Sequence, residues 1–138
     1  MSPPLADDDY TSLADFRLHI RKFLDFSRVA VEESGLTPQQ HQVLLGMKAL
    51  GLQGPVVIRT LADWLQLKHH SVIGLVDRLE QRGLVKREHD IDDRRRVRLR
   101  LTRPGAALLA DLSRAHRNEL RAAAPTLVKA LSRLLHER

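Results

Sequence analysis

A chain of 138 residues can bury one hydrophobic core, and with 43% hydrophobic but only 4% aromatic residues that core must be aliphatic. The net charge of +6 favours a polyanionic partner, nucleic acid first and an anionic membrane second. The lack of cysteine excludes disulfides, thiol redox sensing and thiolate metal sites, while "MSPPLADDDY" has neither the basic start nor the apolar run of a signal peptide. No stretch approaches the roughly 18 apolar residues that span a bilayer, so a cytoplasmic protein without membrane attachment is expected.

From about Tyr10 to Ser34, Leu13, Phe16, Ile20, Phe23, Leu24, Val29 and Val31 recur at helical spacing, and Gly35 is a natural stop. Thr37-Pro38-Gln39-Gln40 opens a second helix: threonine caps, proline suits the first turn, and Gln40 occupies the capping-box position. That helix runs to about Leu50, where "GLQGP" breaks it. Val56, Val57 and Ile58 are β-branched and predict a short strand. Thr60, with Asp63 three residues on, is expected to cap a short helix through about Gln66.

A further helix is predicted from His69 to Arg82, because Val72, Leu75, Val76 and Leu79 form one stripe at i, i+3, i+4 and i+7, and Gly83 ends it. Leu84–His89 and Arg96–Leu101 read as two strands joined by "DIDDR", with Val97, Leu99 and Leu101 facing a core and Arg96, Arg98 and Arg100 facing out. After Thr102 and Pro104 a long helical region begins, with Leu108, Leu109, Leu112 and Leu120. Pro125 is expected to interrupt it before a last helix carrying Leu127, Val128, Leu131, Leu134 and Leu135. No internal repeat or low-complexity linker is present. The predicted class is mainly α with a small β-hairpin (α+β), and three helices followed by a basic hairpin are the order of a winged helix-turn-helix.

In such a unit the helix after the turn enters the major groove of double-stranded DNA and meets the base edges with its N-terminal residues. The stripe leaves His70, Ile73, Gly74, Asp77 and Gln81 outward, with Arg78 beside them and Lys68 and His69 leading in; Ser71 completes the first turn. Hydrogen-bonding groups, an apolar side chain for thymine methyls and a glycine for close approach are what base readout uses. The hairpin tip adds Arg94, Arg95 and Arg96, suited to the negative potential of the minor groove, whereas Arg98 and Arg100 fit phosphates or an ordinary solvated strand edge.

The run "LADWLQLKHHSVIGLVDRLEQRGLVKREHDIDDRRRVRLRLTRPG" resembles the MarR (multiple-antibiotic-resistance regulator) family through Leu61-Ala62, "LVDRLEQRGLV", the wing D-x-x-D-R-R and L-T-x-x-G at Leu101–Gly105. The match covers about Thr37 to Leu112, and helical layout alone extends it. The resemblance implies a single domain over 1–138, with a winged helix-turn-helix at 37–103 and dimerisation helices at 10–35 and 104–138. It implies a homodimer on a pseudo-palindromic operator, acting as a repressor that releases DNA when a small aromatic or phenolic effector binds. An effector pocket of the family type would be lined here by Phe16, His19, Phe23, Met47 and Trp64. Lys68, where the family commonly has Ser or Thr, and Asp92, where it often has arginine, are departures. Asp93 is expected to hold the wing by pairing with Arg95, as the family's residues there do.

Three rivals carry less. No G-x-S-x-G, phosphate-binding glycine loop, H-E-x-x-H or paired catalytic carboxylates speak for an enzyme. A histidine-ligated metal-responsive regulator needs ligand spacing, yet none of the seven histidines pair at i, i+4 on one helix, and no metal or other cofactor is expected. A ligand-independent basic nucleic-acid-binding protein for single strands would need exposed stacking aromatics.

Overall fold

The computed structural model describes residues 2–136. Their elements run α1 (Asp7–Glu33), α2 (Pro38–Gly51), α3 (Ile58–Leu65), α4 (His69–Gln81), β1 (Val85–His89), β2 (Val97–Leu101) and α5 (Arg103–Leu135). They form two compact units, one of the N-terminal segment to Ala30 with the C-terminal segment from Ser113, the other Val31–Leu112. Met1, Glu137 and Arg138, which the expected 1–138 and 104–138 boundaries include, lie outside the described residues.

The second unit carries the core. Val31, Leu36, Val43, Leu44, Met47, Val56, Leu61, Val72, Val76, Leu79, Leu84, Val85, Leu99, Leu109 and Leu112 are buried, with no aromatic ring among them. Local chemistry sets the ends of its helices. Thr37 Oγ1 accepts from Gln40 N at 3.1 Å while Thr37 N donates to Gln40 Oε1 at 3.0 Å, the reciprocal box expected at the start of α2. α3 starts at Ile58, two residues before the expected cap, because Val57 N donates to Thr60 Oγ1 at 3.2 Å. Thr60 therefore caps from inside the helix. This also corrects the expected strand at Val56–Ile58: Val57 is extended but Ile58 is helical, and what remains is one ladder-like bond, Leu99 N to Val56 O at 2.8 Å. The sheet has two strands, paired antiparallel with Val85 opposite Leu101 and His89 opposite Val97.

The first unit is made of the long arms of α1 and α5. His116 on α5 binds Ser27 Oγ on α1 through Nε2 at 2.7 Å and meets Phe23 and Phe26 edge-on at 5.7 and 5.9 Å. The expected break at Pro125 does not occur, and α5 passes through it as one helix. Proline fixes φ near the helical value and forfeits one hydrogen bond, and the preceding Ala122-Ala123-Ala124 is the best helix-forming sequence available.

L-T-x-x-G has a steric explanation at the junction of hairpin and α5. Thr102 N donates to Leu84 O at 3.1 Å, Thr102 Oγ1 donates to Gly83 O at 2.6 Å, and the same oxygen accepts from Gly105 N at 3.1 Å. The first turn of α5 thus lies on the Leu84 backbone, and a Cβ on Gly105 would run into the Leu84 carbonyl. A backbone atom cannot rotate away as a side chain can. Gly105→Ala is therefore expected to destabilise the protein by about 1–3 kcal/mol or more in urea unfolding. Gly54→Ala, where a Cβ meets nothing within 4 Å, should stay within about 0.5 kcal/mol of the parent.

Candidate nucleic-acid interface

Helix α4 buries Val72, Leu75, Val76 and Leu79, as its periodicity requires, and this fixes its rotation. Lys68, His69, His70, Ser71, Ile73 and Arg78 are exposed, and Gly74 is half-buried with open space where a Cβ would stand. Gly74 lowers helix propensity by about 1 kcal/mol relative to alanine, with no packing requirement in the chain itself. Lys68 is the N-cap and makes no side-chain cap bond, since an ammonium cannot accept one. The amides of Ser71 and Val72 donate to Lys68 O at 3.1 and 3.2 Å, which leaves the His69 and His70 amides ahead of them at the positive end of the helix dipole. Gln39, Leu67, His70, Ser71, Gly74, Leu75 and Arg78 line one shallow cleft along this face.

The hairpin is tied to α4 by Arg87, whose guanidinium lies 2.7 Å from Asp77 Oδ1 and 2.8 Å from Glu80 Oε1, while its backbone amide donates to Glu80 Oε2 at 3.2 Å. Asp77 faces outward as expected, but with its charge matched. Sequence reasoning missed this tie; Asp77 and Glu80 at i, i+3 were the available signal, but the partner's register was not.

The wing arginines divide into two sets. On β2, Arg100 stands opposite Lys86, a like-charge pair, and reaches diagonally to Glu88 at 3.1 Å, which Lys86 also approaches at 3.7 Å. Arg98 reaches diagonally to Asp90 at 3.2 Å. Both are engaged within the hairpin. Arg94, Arg95 and Arg96 are exposed at the tip; Arg94 and Arg96 make no ion pair among the described residues, and Arg95 approaches Asp93 only to 3.9 Å with its side chain 98% exposed. The Asp93 carboxylate instead accepts from the Arg95 amide at 3.0 Å, so its contact is chiefly with the turn backbone.

Asp90 makes the larger contribution to the turn, and its role was missed although it opens D-x-x-D-R-R. Its amide donates to Arg96 O at 2.9 Å, and its carboxylate accepts from Asp92 N at 3.1 Å and from Arg98 Nη2 at 3.2 Å. His89 closes the loop from the other side, its Nδ1 donating to Arg94 O at 3.0 Å.

The profile of the MarR family matches residues 34–96, the stretch that holds α2, α3, α4, β1 and the wing turn. A crystal structure from Pseudomonas aeruginosa, described as a probable transcriptional regulator, is 31% identical with a TM-score of 0.62, covering 86% of this chain and 92% of that one. The chain belongs to the MarR family. A mutant of MepR from S. aureus bound to an oligodeoxyribonucleotide has the same fold, with a TM-score of 0.73 at 24% identity over 91% of this chain and 97% of that one. The HTH-type transcriptional repressor MdtR of Bacillus subtilis (strain 168) is 36% identical over 76 residues, 55% of this chain and 47% of that protein. The chain spans about half the length of the curated relatives it matches.

In this MarR-family chain the residues expected to line an effector pocket belong to both units. Phe16, His19 and Phe23 stand on α1 in the helical unit. In the winged unit, Met47 is buried beneath a cleft of about 500 Å³ with Lys48, Leu52, Arg98 and Arg100. Trp64 packs over Gly46, where a Cβ would come within 2.7 Å of its ring, and walls a different groove with Gln39, Gln42 and Leu67. Among the described residues no three of His, Cys, Asp and Glu converge as metal ligands. His41 is buried with Nδ1 3.3 Å from Gln42 Nε2.

The Asp90 carboxyl is held below its ordinary value of 3.8, first by the Asp92 amide and then by the charge and hydrogen bond of Arg98 and the charge of Arg96, against an opposing desolvation cost. A depressed folded value means that its contribution is complete above the ordinary carboxylate range and is lost as pH falls through the lowered value. The Asp92 amide and Arg98 guanidinium resonances, whose groups donate to this carboxylate, should therefore titrate together below about pH 4. Asp90→Ala should abolish that titration and the hydrogen-exchange protection of the Asp92 amide, leaving amides of α4 protected. Unchanged wing amides in the variant would contradict the assignment.

Proposed function

We propose that the chain is a sequence-specific, double-stranded DNA-binding transcriptional regulator that acts as a repressor. The observation that carries this is the pairing, within one unit tied by Arg87, of an exposed α4 N-terminal face with a tip whose Arg94, Arg95 and Arg96 are exposed. In this reading Lys68, His69, His70, Ser71, Ile73, Gly74 and Arg78 meet the major groove, and the tip arginines meet phosphates and the minor groove. MepR bound to an oligodeoxyribonucleotide shares the fold, and MdtR carries the repressor description; both support it. The activity is binding without catalysis or cofactor, in the cytoplasm.

The working form in this proposal is a homodimer on a pseudo-palindromic operator with half-sites about one helical turn apart. Its support is the helical unit, where Leu13, Leu18, Leu24, Leu120, Val128, Leu131 and Leu134 are exposed while Ser12 and Ala130 are its buried residues among those described. A second copy is the commonest cover for such a surface. Release by a small aromatic or phenolic effector belongs to the same reading, and the cleft over Met47 offers an apolar floor that such a ring needs.

The test begins with selection of bound duplexes from a random pool. His70→Ala and Ser71→Ala should change the preferred sequence, costing about 1–3 kcal/mol at the contacted base pair with little loss on random duplex. Arg94 and Arg95 replaced together by alanine should weaken binding to all duplexes and flatten the log–log salt dependence by about 0.9 per lost phosphate contact. Equal losses on specific and random duplexes for the α4 variants would contradict base readout, and an unchanged salt slope for the double variant would remove the wing from the interface.

A further inference from the structure

Ile91 sits at the end of the wing with 97% of its surface in solvent, beyond any other exposed large hydrophobic residue among those described. Single apolar side chains on a surface are ordinary. What sets this one apart is the hydrogen-bonded turn that carries it. The Asp90 carboxylate bridges over it to the Asp92 amide at 3.1 Å, closing an Asx turn with Ile91 at its apex. Behind the turn, Asp90 N to Arg96 O at 2.9 Å, Arg96 N to Asp93 O at 2.9 Å, and His89 Nδ1 to Arg94 O at 3.0 Å pin both flanks. A β-branched side chain is stiff at χ1, so covering it would cost little further ordering. Apex positions favour Gly, Asn, Asp, Ser or Pro, and isoleucine serves none of the turn's own needs.

We propose that Ile91 is an apolar minor-groove contact: it packs against the deoxyribose edges of the DNA while Arg94 and Arg96 engage the adjacent phosphates and groove floor. The inference rests on the DNA-binding reading above and adds a specificity-determining residue to it. The minor groove is the occupant that fits both halves of the tip, because its walls present the C–H faces of sugars between rows of phosphates. Architectural proteins use such apolar side chains beside arginines there. The tip from Asp90 to Arg98 carries four arginines against three aspartates, and two of those acids are occupied, Asp90 by Asp92 N and Arg98 and Asp93 by the Arg95 amide. Asp92, exposed beside Ile91, is the charge that opposes phosphate. Entry is therefore expected with Ile91 leading and Asp92 turned to the open side.

The contact is apolar and releases no counterion, which separates it from its neighbours. On the best duplex from the random pool, Ile91→Ser should weaken binding roughly five- to tenfold per wing with the salt slope unchanged. Ile91→Leu should restore most of the affinity. Melting of the free protein should not move, because 97% of the Ile91 surface is already in solvent. Replacing A·T pairs beneath the wing by G·C puts the guanine amino group into the groove and should weaken the parent more than Ile91→Ser. Parent-like affinity for Ile91→Ser would overturn the proposal while the Arg94/Arg95 double variant still loses affinity; if that double variant is also silent, the wing reading itself has failed. A parent that forms higher assemblies in sedimentation, lost in Ile91→Ser at unchanged DNA affinity, would make Ile91 a protein contact and overturn the proposal equally.

Discussion

The rotation of α4 about its own axis is set by the burial of Val72, Leu75, Val76 and Leu79, and the interface inherits its geometry from that choice. An aliphatic stripe of this kind contributes on the order of 1.5–3 kcal/mol per fully buried side chain, far more than any exposed ion pair nearby. It therefore decides which residues face out: His70, Ser71, Ile73, Gly74 and Arg78 lie on the solvent side because the stripe permits no other rotation. The core that receives the stripe is aliphatic throughout.

Electrostatics then arrange what the core has positioned. Pairs such as Arg87 with Asp77 and Glu80, or Arg100 with Glu88, are partly exposed and individually worth about 0–1 kcal/mol. Their role here is geometric. Arg87 joins the hairpin to α4, the diagonal pair of Arg100 with Glu88 offsets the like charge of Lys86 opposite it, and Arg98 reaches Asp90 at the turn. With these three arginines engaged in ion pairs, Arg94, Arg95 and Arg96 stand exposed at the tip. Thr102 and Gly105 complete the arrangement by seating α5 on the Leu84 backbone. The wing is thereby anchored at its base as well as at its side.

Much of this was legible in the sequence where one local rule acted alone. The α4 stripe, the Thr37–Gln40 box and the alternation on β2 each express a periodicity or a capping rule that no tertiary contact opposes. The failures came where two rules competed. Proline in α5 predicts a break, but the alanine run and the length of helix on both sides outweigh one missing hydrogen bond. The β-branched run at Val56–Ile58 favoured a strand, yet Thr60 bonding back to Val57 drew the helix start forward. In the wing, Asp93 was singled out while Asp90, which bonds both the Asp92 amide and the Arg98 side chain, was not. Its partner lies across the hairpin, and such a contact depends on register, which spacing along the chain does not contain.

The central claim, that α4 and the wing tip form one DNA-binding surface, is tested most directly by footprinting the protein on its selected duplex. Methylation interference at guanine N7 reports the major groove, and hydroxyl-radical cleavage reports the deoxyribose edges of the minor groove. The account predicts two patches of N7 interference about one helical turn apart. Each should be flanked on its outer side by a short stretch of protected sugars that becomes cleavable again in the Arg94/Arg95 double alanine variant. Interference without flanking sugar protection, or protection that the double variant leaves intact, would contradict it.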